Sequence, residues 1–368
     1  MRFIRRGLWG GIGGSIALGL TVVAAAGDYS WTELQPAGNT NRYWYAASAS
    51  RDGQTVIAAY DDGRLYTSAN NGAAWVERQP AGDADLFWSA VATSGDGQVL
   101  LAASAYDFGE LGLTSAVVGD EPQGLSLGRL YASPDGGQSW TEQQPAGDTD
   151  LWWGDVAVSA DGQTMLAGVA GYSFSRLYLR RDGANWQEAQ PDGASNYMWR
   201  ALACSGDGSV LVAGAAGERL HLSRDGGTTW NEIQPAGVQT RWWQCVAISA
   251  FGRYIYAGAG GEVDGRLYGS SDFGQSWSEL QPAGDQDHEW TGLSCSGSGR
   301  RVVAVQAFGR MHISEDAGAT WSESQPTGDQ NEDWYSATLS ADGRHLTASS
   351  AWGRLYTGVL TNGLSRLF

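Results

Sequence analysis

Short apolar runs separated by glycine turns recur along almost the whole chain. Residues 88–94, "WSAVATS", are followed by the turn "GDG" and a second apolar run, "QVLLAAS"; later come "GRLY", a polar turn and a segment of the form Trp-x-Glu. Runs of this length between turn residues predict strands, four to a unit. Aligned on one tryptophan, the units fall at Trp44, Trp88, Trp153, Trp199, Trp243, Trp290 and Trp334, spaced by 44, 65, 46, 44, 47 and 44 residues. That period belongs to propeller blades. The chain is therefore expected to be all-β, a seven-bladed β-propeller of four-stranded antiparallel blades. The seventh unit is split: "GRLYTGVL" at 353–360 lacks a last strand, and Trp31-Thr32-Glu33 supplies one. The N-terminal strand should close the last blade, because each unit alone would expose its faces.

The turn after "GRLY" has a fixed form, Ser133-x-Asp135-x-Gly137-x-x-Trp140, repeated from Ser223, Ser270 and Ser314. Ser68 begins a copy with Asn70 for Asp, and "RRDGANW" at 180–186 is one residue short. This motif resembles the Asp-box, or BNR repeat, of sialidase-like propellers, and the resemblance covers nearly all of residues 27–368. It implies a β-propeller scaffold in which the motif's short polar side chains bond the turn backbone.

Recurrence separates scaffold from decoration. Arg64, Arg129, Arg176, Arg219, Arg266, Arg310 and Arg354 occupy one position, and Glu33, Glu77, Glu142, Glu188, Glu232, Glu279 and Glu323 another. The hairpin register sets each arginine diagonally across from a glutamate, so structural pairing is expected rather than anion binding. His221 and His312 fill the tyrosine slot of "GRLY" and read as strand residues; Cys204, Cys245 and Cys295 fall on inner strands as small buried hydrophobes, with a Cys204–Cys245 disulfide left open.

Composition narrows the function. All 23 basic residues are arginine, which excludes Schiff-base lysines and the Walker lysine. Residues 1–26 place three arginines before an uncharged run ending in Ala24-Ala25-Ala26, the form of a cleaved signal peptide, with an uncleaved membrane anchor as the alternative. The expected location is extracytoplasmic: secreted or periplasmic. Without that segment, 20 arginines face 40 acids, a net charge of −20, so nucleic acid and anionic membranes are poor partners. The chain has no HExxH, CxxC, GxSxG or GxxxxGK motif, and no metal or cofactor is expected. The arginine-isoleucine-proline motif of sialidases is missing too.

Function should lie where the copies differ and loops converge. The "QPAG" connections between blades and the loops joining second to third strands share one face, which also carries the insertions: roughly 105–127 in blade two, "GYSFS" at 171–175 and "GGEVDG" at 260–265. The two residues before each alignment tryptophan vary, giving candidate ligand contacts Arg42, Tyr43, Phe87, Trp152, Tyr197, Arg241, Trp242 and His288. Aromatic faces beside carboxylates suit a sugar; the same rings could instead pack beneath their own loops. Seven-bladed propellers with this motif are also similar to the photosystem II assembly factors, exported proteins that bind protein partners without catalysis. The expectation is a monomeric, non-catalytic binding or scaffold propeller for a glycan or protein surface. The alternative is a glycoside hydrolase using Glu289, Glu332 and Asp333.

Overall fold

A computed structural model describes residues 29–61, 63–105, 128–171, 175–260 and 265–361. The proposed signal peptide, nearly all of the 105–127 insertion and the middles of the two shorter insertions (172–174 and 261–264) lie outside these residues. Seven four-stranded antiparallel sheets follow one another around a ring, and no helix occurs among the described residues. Blade one runs Trp44–Ala49, Val56–Tyr60, Leu65–Ser68 and Val76–Arg78 from the inside outward. In blade seven the N-terminal strand Tyr29–Leu34 pairs with Leu355–Leu360 as the outer strand. The split unit thus closes the ring as its sequence predicts.

The core is a set of layers between neighbouring blades. One layer joins Leu101 and Leu130 of blade two to Trp153, Met165 and Tyr178 of blade three. The alignment tryptophans are at most 2% exposed, because each meets the "GRLY" aromatic of its own third strand. Trp44–Tyr66, Trp88–Tyr131, Trp199–His221 and Trp290–His312 have ring centroids 6.0, 5.8, 5.7 and 5.9 Å apart, with planes steeply inclined. Edge-to-face contact of this kind adds to area burial. Burial lowers the pKa of His221 and brings that of His312 to about 4, so both stay neutral strand residues near pH 7.

On one face, Ser133 Oγ donates to Asp135 Oδ1 (2.9 Å) and accepts from the Gly137 amide (2.8 Å), while Asp135 accepts from the Ser139 amide (2.8 Å) and hydroxyl (2.6 Å). The turns beginning at Ser223, Ser270 and Ser314 repeat this network. Gly137, at φ 87°, holds a backbone conformation that a side chain would strain.

The arginine ring is internally neutralised, with one correction to the expected partners. Arg129, Arg176, Arg219, Arg266 and Arg354 do meet Glu142, Glu188, Glu232, Glu279 and Glu33. Arg64 instead takes Asp83 and Asp85, and Arg310 takes Asp329. Arg129 and Arg266 hold such loop aspartates as well, Asp148 with Asp150 and Asp285 with Asp287. These carboxylates sit in the connection to the next blade, so the guanidinium fastens that connection as well as its own hairpin. The three thiols are free. Cys245 Sγ donates to the Trp290 carbonyl of the next blade (3.4 Å), and burial pushes all three thiol pKa values up to about 12.

Candidate functional site

The opposite face carries the mouth of the axial channel. Every inner strand loses register immediately after its tryptophan, leaving one bulged residue per blade: Tyr45, Ser89, Gly154, Arg200, Gln244, Thr291 and Tyr335. A bulge re-aims its side chain out of the pleat. All seven are half-buried beside fully buried tryptophans, and several reach across to the adjacent blade. Tyr45 contacts Phe87 of blade two (centroids 4.7 Å apart) and Tyr335 of blade seven (4.5 Å), while the Arg200 guanidinium lies 5.1 Å from the Trp152 ring centre.

The pair of variable residues before each tryptophan divides in two. The first is tied to the loop between second and third strands of the preceding blade, through Arg42 with Gly353, Leu86 with Gly63, Arg241 with Glu218 and Glu332 with Gly309; His288 donates its amide to Gly265 in the same way. Its side chain packs locally. Arg42 covers Tyr60 and His288 lies edge-on to Trp290. Tyr197 stacks near His221 and donates to Asp192 (2.7 Å), and Arg241 donates to Gln239 (2.6 Å). The second residue faces the mouth. Tyr43 meets Trp352 (4.0 Å) and Tyr45 (6.0 Å), Phe87 meets Tyr45, and Trp242 is 54% exposed.

Tyr43, Tyr45, Phe87, Tyr335 and Trp352 thus form one continuous aromatic surface over blades seven, one and two. Three of its members, Tyr45, Tyr335 and Trp352, were not among the residues picked from the sequence. The repeat did hold a signal, since the residue after each tryptophan is as variable as the two before it. Trp352, at φ 55° and 68% exposed, occupies the loop position of Phe308 (φ 50°) and Gly217 (φ 76°).

Carboxylates border this surface. Burial raises the Tyr335 hydroxyl pKa, and the nearby charges of Asp333, Glu289 and Asp61 raise it further. Tyr45 is raised for the same first reason, with Tyr335 second. Both phenols therefore remain protonated donors at neutral pH. Glu332 Oε1 accepts from Ser350 Oγ (2.6 Å), and Asp333 Oδ1 from the Phe308 amide (3.3 Å). Desolvation, with a smaller push from Glu332, raises the Asp333 pKa above its ordinary value. Farther around the ring, Asp155 accepts from the amides of Val156 (2.8 Å) and Leu202 (2.7 Å), the second across a blade boundary. Burial lifts its pKa to about 7 against the pull of those amides. No grouping of three or more metal-ligating side chains occurs among the described residues.

No protein-family model and no curated protein matches the sequence. Among solved structures, YCF48 bound to a D1 peptide is similar over 92% of this chain and 96% of its own, at 15% identity and a TM-score of 0.63. YCF48 from Cyanidioschyzon merolae is similar over 89% and 98%, at 14% identity and 0.61. A GH74 xyloglucanase from Xanthomonas campestris is similar over 92% of this chain, at 17% identity and 0.65, but this chain spans about half of that enzyme, 54%. At these identities the likeness is one of fold: a seven-bladed β-propeller of four-stranded antiparallel blades.

Proposed function

We propose that this chain is an extracytoplasmic, non-catalytic binding propeller whose axial mouth takes a glycan or a protein segment. The observation that carries this reading is the aromatic surface of Tyr43, Tyr45, Phe87, Tyr335 and Trp352, edged by carboxylates. Rings of this kind give stacking area to sugar C–H faces or to apolar side chains, while the phenols and acids take hydroxyl and amide hydrogens. Trp152 and Trp242 extend the surface around the ring. The likeness that covers both chains almost completely is to a protein whose structure holds a peptide, which supports a binding role. A glycan-array and peptide-array screen run beside a chromogenic glycosidase panel tests the reading: capture without sugar release is expected, and turnover by the parent protein overturns it.

A hydrolytic reading through Glu289, Glu332 and Asp333 draws on one observation, the raised pKa of Asp333 beside Glu332, as a general acid requires. Against it, Glu332 and Asp333 are each anchored by a structural hydrogen bond. Glu332→Gln or Asp333→Asn would abolish turnover if these groups move protons.

A further inference from the structure

Far from the mouth, between the outer parts of blades two and three, the structure has a cleft of about 740 Å³. Its origin is a local change in the repeat. In five blades the turn between third and outer strands is broad and rests on the preceding blade. A Cβ built on Gly72, Gly227, Gly274 or Gly318 would stand 2.7, 2.5, 2.8 or 2.9 Å from Leu34, Leu179, Leu222 or Leu280, and one on Gly137 would stand 3.1 Å from Thr67. Blade three is one residue shorter here and has Arg180 where those five blades have Ser68, Ser133, Ser223, Ser270 and Ser314. Without that serine the turn tightens to two residues, Asp182 (φ 51°) and Gly183 (φ 69°), closed by the Ala184 amide on the Arg181 carbonyl (2.8 Å). Positive φ at both central residues defines the tight hairpin turn. Nothing lies within 4 Å of a Cβ built on Gly183. The space that a turn fills elsewhere stands open.

The walls have a definite chemistry. Arg180 donates to the Ala184 carbonyl (3.1 Å) and to Gln143 Oε1 (3.4 Å), both neutral, and has no carboxylate partner among the described residues. Trp186 does not bond within its own turn, as Trp140 does to Gly137, but donates across to Gln143 Oε1 (3.1 Å). Gln144 and Gln163 add amides, and the one lining carboxylate, Glu142, is already held by Arg129 and Gln144. In a chain of net charge −17 whose ring arginines are neutralised, this guanidinium is available to an incoming acid.

We infer that this cleft is a second binding site, for an acidic, glycine-containing turn of a partner polypeptide that docks where the other blades seat their own turn. The cleft lies where the sibling blades seat a turn, with Ala132 on its wall at the place that Thr67, Leu179 and Leu222 take beneath the turns of Gly137, Gly227 and Gly274. Arg180 selects a carboxylate, and Trp186 with the amides takes main chain and small side chains.

The probe is a cyclised peptide carrying "SPDGGQSW", the sequence of residues 133–140, titrated calorimetrically into the full chain at low salt. Binding with a Kd of about 100 μM or tighter is expected, weakening at least about tenfold in Arg180→Gln and in a peptide with Asn for its Asp. Replacing residues 180–186 with the blade-two turn should fill the cleft and abolish binding; circular dichroism and melting curves confirm that each variant is folded. Tyr45→Ala, at the mouth, should leave this titration unchanged, which separates the inference from the proposed function. No binding up to 1 mM peptide, equal binding to the turn-replaced protein, or capture of a neutral oligosaccharide in place of the peptide overturns it.

Discussion

Tyr29 and Gly343, 314 residues apart in the chain, are joined by a 2.6 Å hydrogen bond from the phenol to the main-chain carbonyl. Arg301 of blade six donates to the same oxygen (2.7 Å) while pairing with Glu315. One carbonyl thus gathers the closing strand, the last blade and its neighbour. Burial pushes the Tyr29 pKa up to about 12, keeping the donor protonated. Tyr29→Phe should cost about 1 kcal/mol, since Arg301 still satisfies the carbonyl, whereas deleting residues 29–34 should lower Tm far more by exposing Leu355–Leu360 as an unpaired edge. Equal melting temperatures for the deletion and the parent would show that the strand does not hold the ring shut.

At the mouth, Tyr45→Ala should remove the contact that links blades seven, one and two. A loss of about tenfold in ligand affinity, near 1.4 kcal/mol, is expected for Tyr45→Ala and for Trp352→Ala. Val76, exposed on the outer strand of blade one and away from the mouth, provides the comparison, and Val76→Ala should bind as the parent does. Affinity that falls equally in all three would point to a global change instead.

Asp155 sets a pH dependence. Its folded-state pKa of about 7 lies above the ordinary 3.8, so the folded chain holds this proton more tightly than the unfolded one. The resulting stabilisation is complete below about pH 4 and is lost as pH rises through 7. Relative to Asp155→Asn, the parent should lose about 2–3 kcal/mol between pH 5 and 8. Parallel denaturation curves across that window would refute the assignment.

The turn aspartates act in the opposite sense. Side-chain and main-chain donors of Ser139, Thr229 and Ser276 lower Asp135, Asp225 and Asp272 to about 2. Their contribution is present above about pH 4 and disappears as pH falls through 2. Asp135→Asn should therefore melt below the parent at pH 6, with the gap closing by pH 2. A gap that persists unchanged at pH 2 would mean that charge is not what these turns use.

Much of the ring was legible because repetition supplied its own controls. The tryptophan slots, the "GRLY" aromatics and the split seventh blade recur with a period that admits one architecture. The mouth was less legible for a geometric reason. A strand read with strict alternation keeps Tyr45 in step with Ala47, and only the bulge after Trp44 turns it to meet Phe87 and Tyr335. In each variable pair, sequence alone gave Arg42 and Tyr43 equal standing; the main-chain bridge to Gly353 ties down the first and leaves the second facing the mouth. The clamp from Arg64 to Asp83 and Asp85 was hidden because those acids vary between copies, with Val238 and Asn39 at the place of Asp83 in two blades.

The bulge after each tryptophan also separates the chemistry of the mouth from how the chain folds. Ser89 and Gln244 stand outside the register of their ladders, so exchanging them rewrites the mouth without breaking a strand pair. Blade three is the exception, since a side chain at Gly154 would run into the Trp199 carbonyl at 2.4 Å. Duplication of one blade delivers identical frames, and the bulge gives almost every frame a letter of its own. Under the proposed binding role, ligand choice can therefore change one blade at a time, by single substitutions, while the scaffold that supports the change stays intact.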